Sequence, residues 1–277
     1  MEKKYKLTEE TINVNDRTLY RIEALKDFND VKKGDKGGFI ENENNLSQSG
    51  DCWIYDNAKV LGEAMVCCNA KVYGNAKICD YAVVYDNAIV FGNAQVCDEA
   101  KVYCDAKVFG NAQVYCNALV INNARVYGNT KVYHNAAVCG NTRIYGNAIV
   151  RGDAVVGGDV EIYDNAKVYG NAEVYGNAEI RGDAEIASNS DYIVFKNWWS
   201  SGRYFTWTKN NNMWKVGCFY GTGEQLIEKA YKDSEKSGEE YKKVVVYVNS
   251  IKDNKYNHVR KNIKERLLSK IRKLFGK

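Results

Sequence analysis

Proline is absent from all 277 residues, histidine occurs twice and methionine three times. Ordinary usage of roughly 5% would supply about 14 prolines. The turns must therefore be built from residues that tolerate a left-handed backbone, and the chain holds 23 glycines and 31 asparagines. No apolar run approaches the roughly 18 residues that cross a bilayer. Met1-Glu2-Lys3-Lys4-Tyr5-Lys6 leads into polar sequence rather than into the apolar core of a secretory signal. A soluble, cytoplasmic protein is expected. Nine cysteines, an odd number in a long chain, fit a disulfide framework badly, so free thiols are the default. A phosphate loop, a Cys-x-x-Cys pair and a triad motif are also missing, and no metal or cofactor is implied.

What is present is a repeat. From Cys52 to Asn189 the sequence divides without a gap into 23 six-residue units with the consensus Ala-x-Val-Tyr-Gly-Asn. The third position is Val or Ile in every unit and the first is Ala in 19, the exceptions being Cys52, Thr130, Thr142 and Val160. The sixth is Asn in 16 and Asp in four. A period of six is incommensurate with 3.6 and would smear the valine row around a helix. Short strands with Val and Ala inward and Gly-Asn at the corner accommodate it.

Val-Tyr-Gly-Asn-Ala-Lys resembles the hexapeptide-repeat family, whose fold is a left-handed parallel β-helix with three units, or 18 residues, per coil. The start of the repeat, with Asp27-Phe28-Asn29-Asp30-Val31, Gly37-Gly38-Phe39-Ile40 and Leu46 to Tyr55, is similar to a group of bacterial and phage β-helix proteins typified by YdcK. The resemblance implies a mainly β fold of about eight coils and says little about activity. The expected organisation is an N-terminal cap (1–45), the β-helix (46–189), a small aromatic-rich α+β domain (190–252) and a basic amphipathic helix (253–277).

Residues 18 apart then stack. One face carries the aromatic column Tyr55, Tyr73, Phe91, Phe109, Tyr127, Tyr145 and Tyr163, for which structural stacking and a binding strip both stand open. A second is basic and polar. The third shows an apolar stripe, Met65, Val83, Tyr85, Tyr103, Leu119, Ile121 and Val155, which should be covered, predicting a homo-oligomer, a trimer or dimer. Beyond the prism, Arg203–Val216 suggests a β-hairpin, Glu224 to Lys236 a helix and Tyr241 to Val248 a strand. Trp198, Trp199, Arg203, Tyr204 and Trp207 are candidate contacts to a partner. Asn254 to Lys277 carries nine Lys or Arg against one acid, a net +8 that leaves the rest of the chain at −4. Lys261, Lys264, Arg266, Lys270 and Arg272 make it a candidate surface for a host protein or nucleic acid.

Two classes of function compete. The first is a non-enzymatic oligomeric scaffold, phage- or prophage-encoded in view of the resemblance, that binds a host macromolecule and inhibits a host defence system. The second is an acyltransferase using coenzyme A, as the hexapeptide-repeat family implies. Its reactive residues would be His134, the one prism histidine, and Cys116, which the 18-residue rule stacks in a corner column with Asp80 and Asp98. The uninterrupted repeat offers few pocket walls, so the non-enzymatic reading is the expectation; a phage structural component is a further alternative.

Overall fold

The computed structural model describes residues 2–252, which fall in two compact units dividing after Asn211. Its mainly β architecture is a parallel β-solenoid of about eight coils, followed by an antiparallel sheet and two helices. Each unit supplies a two-residue strand, as in Lys107–Val108, paired in parallel and in register with the strands 18 residues before and after. Three faces result. Eight strands from Trp53–Ile54 to Glu179–Ile180 make the first, and seven from Met65–Val66 to Glu173–Val174 make the third. The second runs from Lys59–Val60 to Glu185–Ile186 and continues into the N-terminal cap.

The Val/Ile row and the Ala row are both fully buried and form one continuous core. Fully burying a Val or Ile is worth about 1.5–3 kcal/mol, which 23 units multiply into the dominant favourable term. The corners separate two roles that the sequence merges. The left-handed residue is the fifth of the unit, with φ between 50° and 85° whether Gly, Asp, Cys, His or, once, Asn (Asn122) stands there. Glycine suits it best: a Cβ on Gly140 (φ 70°) would lie 2.7 Å from the Gly158 backbone nitrogen. The sixth-position asparagines take a different part. They run amide ladders from coil to coil, as in Asn93 Nδ2 to Asn111 Oδ1 (3.2 Å) and Asn111 Nδ2 to Asn129 Oδ1 (2.9 Å). The asparagine excess thus reflects inter-coil hydrogen bonding rather than tolerance of positive φ.

Each coil donates its backbone N–H groups to the carbonyls of the next, as Tyr73 N does to Val90 O (3.0 Å). The first coil therefore has carbonyls without a preceding coil, and the last has N–H groups without a following one. The two ends are closed by side chains of opposite hydrogen-bonding sense. At the start, Asn45 Nδ2 donates to Gly62 O and Ala64 O (both 2.8 Å), and Tyr5 Oη to Leu46 O (2.7 Å). The buried ammonium of Lys4 donates to Gly50 O (3.2 Å) and Cys52 O (2.9 Å). Lys4 and Tyr5 stand at the start of a hairpin of Tyr5–Val14 and Arg17–Ala24, turned at Asn15-Asp16 with φ of 49° and 61° and joined through Lys36–Ile40 to Lys59–Val60, whereas Asn45 ends the short 3-10 turn Glu43–Asn45. At the far end, oxygens accept: Asn189 Oδ1 from Glu173 N (2.7 Å), Thr206 Oγ1 from Glu179 N (3.0 Å) and Asn210 Oδ1 from Glu185 N (2.9 Å). Thr206 lies in Tyr204–Thr208, which pairs antiparallel with Tyr192–Lys196. That strand pair closes the solenoid.

In the second unit Met213–Val216 pairs antiparallel with Phe219–Gly221, and helices span Gly223–Asp233 and Glu235–Lys252. Thr222 and Gln225 form a capping box at the start of the first helix. The strand expected at Tyr241–Val248 is instead part of the second helix. Its valines satisfied a β-propensity argument, but burial falls on Gly238, Val245 and Val248, the three- and seven-residue spacings of one helical stripe.

Candidate functional site

The corner column expected from the 18-residue rule is formed. Asp80, Asp98, Cys116 and His134 all sit at left-handed corners, with φ of 62°, 57°, 57° and 60°. Their side chains do not act as one cluster. Asp98 Oδ2 accepts from the Cys116 backbone N–H (2.8 Å), and Asp80 Oδ2 lies 3.4 Å from Asp98 N, so both carboxylates serve the corner backbone. His134 is exposed and its ring meets Tyr133 edge-on at 4.8 Å, while Tyr133 stacks on Tyr115, also at 4.8 Å. Among the described residues no hydrogen bond joins Cys116 to His134. A hollow of about 250 Å³ lies nearby, lined by Cys97, Asp98, Gln113 and Tyr115 among others, and neither Cys116 nor His134 is in its wall.

Beside this column the free-thiol expectation fails at one pair: Cys79 and Cys97, each directly after one of the paired strands Lys77–Ile78 and Gln95–Val96, form a disulfide, their Cα atoms 4.7 Å apart. Stacking at inter-strand distance puts the two Cα atoms within the span that a disulfide bridges. The remaining seven cysteines are free. Asp80 places a carboxylate oxygen within 4.8 Å of both sulfurs; with these bonded to each other, it is the one anionic metal ligand the group offers.

The aromatic column resolves as a structural stack. From Tyr73 to Tyr163 successive rings lie 4.7–5.1 Å apart and within 14° of parallel, so each face is covered by a neighbour. At one end the Arg181 guanidinium lies 5.0 Å from the Tyr163 ring centroid, and at the other Tyr55 and Tyr73 meet edge-on. Between the rings of Tyr73 to Tyr163 a planar ligand has no free face on which to stack. Burial pushes the phenol of Tyr163 up to about 12. On the same face Lys107, Arg125 and Arg143 line a shallow groove of about 440 Å³, where Asp105 and Asp159 offset their charge.

The apolar stripe forms on the third face in two runs, Met65 pairing with Val83, and Leu119 with Ala137, which in turn pairs with Val155. Tyr85 and Tyr103 stack at 4.6 Å, and Lys101, between Val83 and Leu119, interrupts it. Val83, Leu119, Ile121 and Val155 are half-buried and Met65 is exposed. His134 stands on the corner between the strands Lys131–Val132 and Ala137–Val138, at the edge of this stripe.

The aromatic candidates divide. Trp207 is 2% exposed, part of the packing rather than of a binding surface. Trp199 and Tyr204 are half-buried, and Arg203 is exposed. Trp198 is 82% exposed, on a turn held by the buried Asn197, whose Oδ1 accepts from Trp199 N (3.2 Å) and Ser200 N (3.0 Å). Lys261, Lys264, Arg266, Lys270 and Arg272 lie outside the described residues.

The YdcK beta solenoid repeat model matches residues 82–98 and 143–158. The chain carries YdcK β-solenoid repeats. Over 55 residues it is 47% identical to a protein of Escherichia coli (strain K12) named "Uncharacterized acetyltransferase YdcK", a stretch covering 20% of this chain and 17% of that protein. The expectation of a non-enzymatic protein does not stand against this finding, because a relative sharing the repeats bears an acetyltransferase name. Among the described residues, no helix is long and apolar enough to cross a membrane.

Proposed function

We propose that this YdcK-type solenoid is an acyltransferase acting on a coenzyme A thioester, with His134 as the base that takes the acceptor's proton. The observation that carries this reading is the position of His134, the one histidine of the repeat region, exposed at a corner on the edge of the apolar stripe. A convex prism has few walls of its own. A second copy packed on the stripe supplies one, and His134 then lies at the rim of the cleft between copies. The imidazole deprotonates an amine or hydroxyl as it attacks the thioester carbonyl, a role that typically contributes 10²–10⁴-fold. Cys116, one coil earlier in the same column, is the alternative nucleophile.

The test is release of free coenzyme A from acetyl-CoA, followed chromatographically because the chain's own thiols react with thiol dyes. His134→Ala is expected to lower the rate by about 100-fold or more. Equal rates for the two proteins, or none for the unaltered chain, would discard the reading. Self-association has its own check: Val83→Glu with Leu119→Glu places charge on the stripe and is expected to reduce the light-scattering mass to that of one chain. An unchanged mass rules out this face.

A docking role for a host macromolecule is the second reading, favoured by the exposure of Trp198 and of Arg203.

A further inference from the structure

Cys52 occupies the first position of its repeat unit, where 19 of 23 units have alanine, and its thiol is fully buried. The side chain that reaches it is Lys4, itself 1% exposed. Lys4 Nζ lies 3.2 Å from Cys52 Sγ, with Cys52 O at 2.9 Å and Gly50 O at 3.2 Å, and the Phe28 ring centroid at 5.2 Å. No carboxylate is among these partners. The sulfur's other contacts are long ones to carbonyls, Ser47 O at 3.6 Å and Ser49 O at 3.7 Å. Burial pushes the Cys52 thiol up, against the pull of the Lys4 ammonium. A buried amine and a buried thiol therefore face each other at hydrogen-bond distance, and Cys52 has no disulfide partner.

We propose that Lys4 and Cys52 are an oxidative modification site, at which Nζ and Sγ become joined through a single oxygen atom. Dioxygen is the oxidant. The ammonium, the thiol and one O₂ give the N–O–S link, one water and one proton; nitrogen and sulfur together lose four electrons, and the two oxygen atoms gain them. One oxygen stays in the bridge and the other leaves as water. The link ties the first cap strand to the first coil across 48 residues of chain, and such a cross-link stabilises chiefly by restricting the unfolded chain. It also removes the buried positive charge. Because N–O and O–S bonds are reducible by thiols, the fastening is reversible.

Peptide mass spectrometry on the full chain, reduced with dithiothreitol, freed of reductant and held in aerated buffer, tests this directly. The Lys4 and Cys52 peptides are expected to be joined, with one oxygen gained and two hydrogens lost relative to their sum. Dithiothreitol should restore the separate peptides. Oxidised wild type should also lose the Cys52 thiol to alkylation under denaturing conditions, whereas Lys4→Arg, which lacks the amine, should retain it. Complete alkylation of Cys52 in the aerated wild type would overturn the proposal. So would its conversion to sulfinic acid with Lys4 unmodified.

Discussion

Replacing Ala112 with leucine is expected to lower the stability of the solenoid by about 2–3 kcal/mol, read as a fall in the urea midpoint at constant slope. Ala112 is fully buried between Ala94 and Thr130, the residues 18 before and after it in the same row. The strands above and below are fixed in register by parallel pairing on both sides, Gln113 against Gln95 and Lys131. A coil cannot move outward to admit three extra carbons without breaking hydrogen bonds to both neighbours. Thr130 shows what the row tolerates: its side chain fits, but its Oγ1 is buried with no hydrogen-bond partner. Thr142 avoids that cost by donating to Cys139 O at 2.6 Å. Thr130→Val keeps the volume and removes the orphaned hydroxyl, so it should raise stability by about 1 kcal/mol. A tolerated Ala112→Leu, with unchanged midpoint, would mean that the interior is not close-packed at this row.

Lys4→Met is expected to cost about 2–4 kcal/mol and to open the cap before the rest of the prism unfolds. The thioether fills the volume but donates nothing, leaving Gly50 O and Cys52 O unsatisfied at the one end where no preceding coil can supply an N–H. Relief of the ammonium's desolvation offsets part of the loss, which is why the figure stays below a full buried-charge penalty. Hydrogen exchange checks it: amides of the cap hairpin should exchange much faster, while those of the central coils, protected by their own neighbours, should not change. Uniform acceleration along the chain would show that the cap and the coils unfold as one unit.

The repeat was legible because its cause is local. Val, Ala and the corner residue recur at fixed spacing, and each unit sees nearly the same environment, so 23 copies state the same rule. The corner column of Asp80, Asp98, Cys116 and His134 followed from the same arithmetic. Its chemistry did not, since spacing says which residues stack but not whether a carboxylate turns toward a neighbouring thiol or toward a backbone N–H, as Asp98 does. The disulfide was half legible: the 18-residue rule places Cys79 above Cys97, and only side-chain geometry joined them. The Tyr241–Val248 helix was misread because its valines obey β-propensity, whereas the stripe of Gly238, Val245 and Val248 acquires meaning only against a partner surface.

What the sequence determined by itself is therefore the period, the parallel solenoid and the absence of proline within it, since an inter-coil ladder requires an N–H that proline lacks. What the tertiary structure decided is how the ladder ends. Lys4, Tyr5 and Asn45 are donors placed where carbonyls are bare, and Asn189, Thr206 and Asn210 are acceptors placed where N–H groups are bare. Nothing in the local sequence of these six residues announces that duty, because it arises only from which end of the stack each one meets.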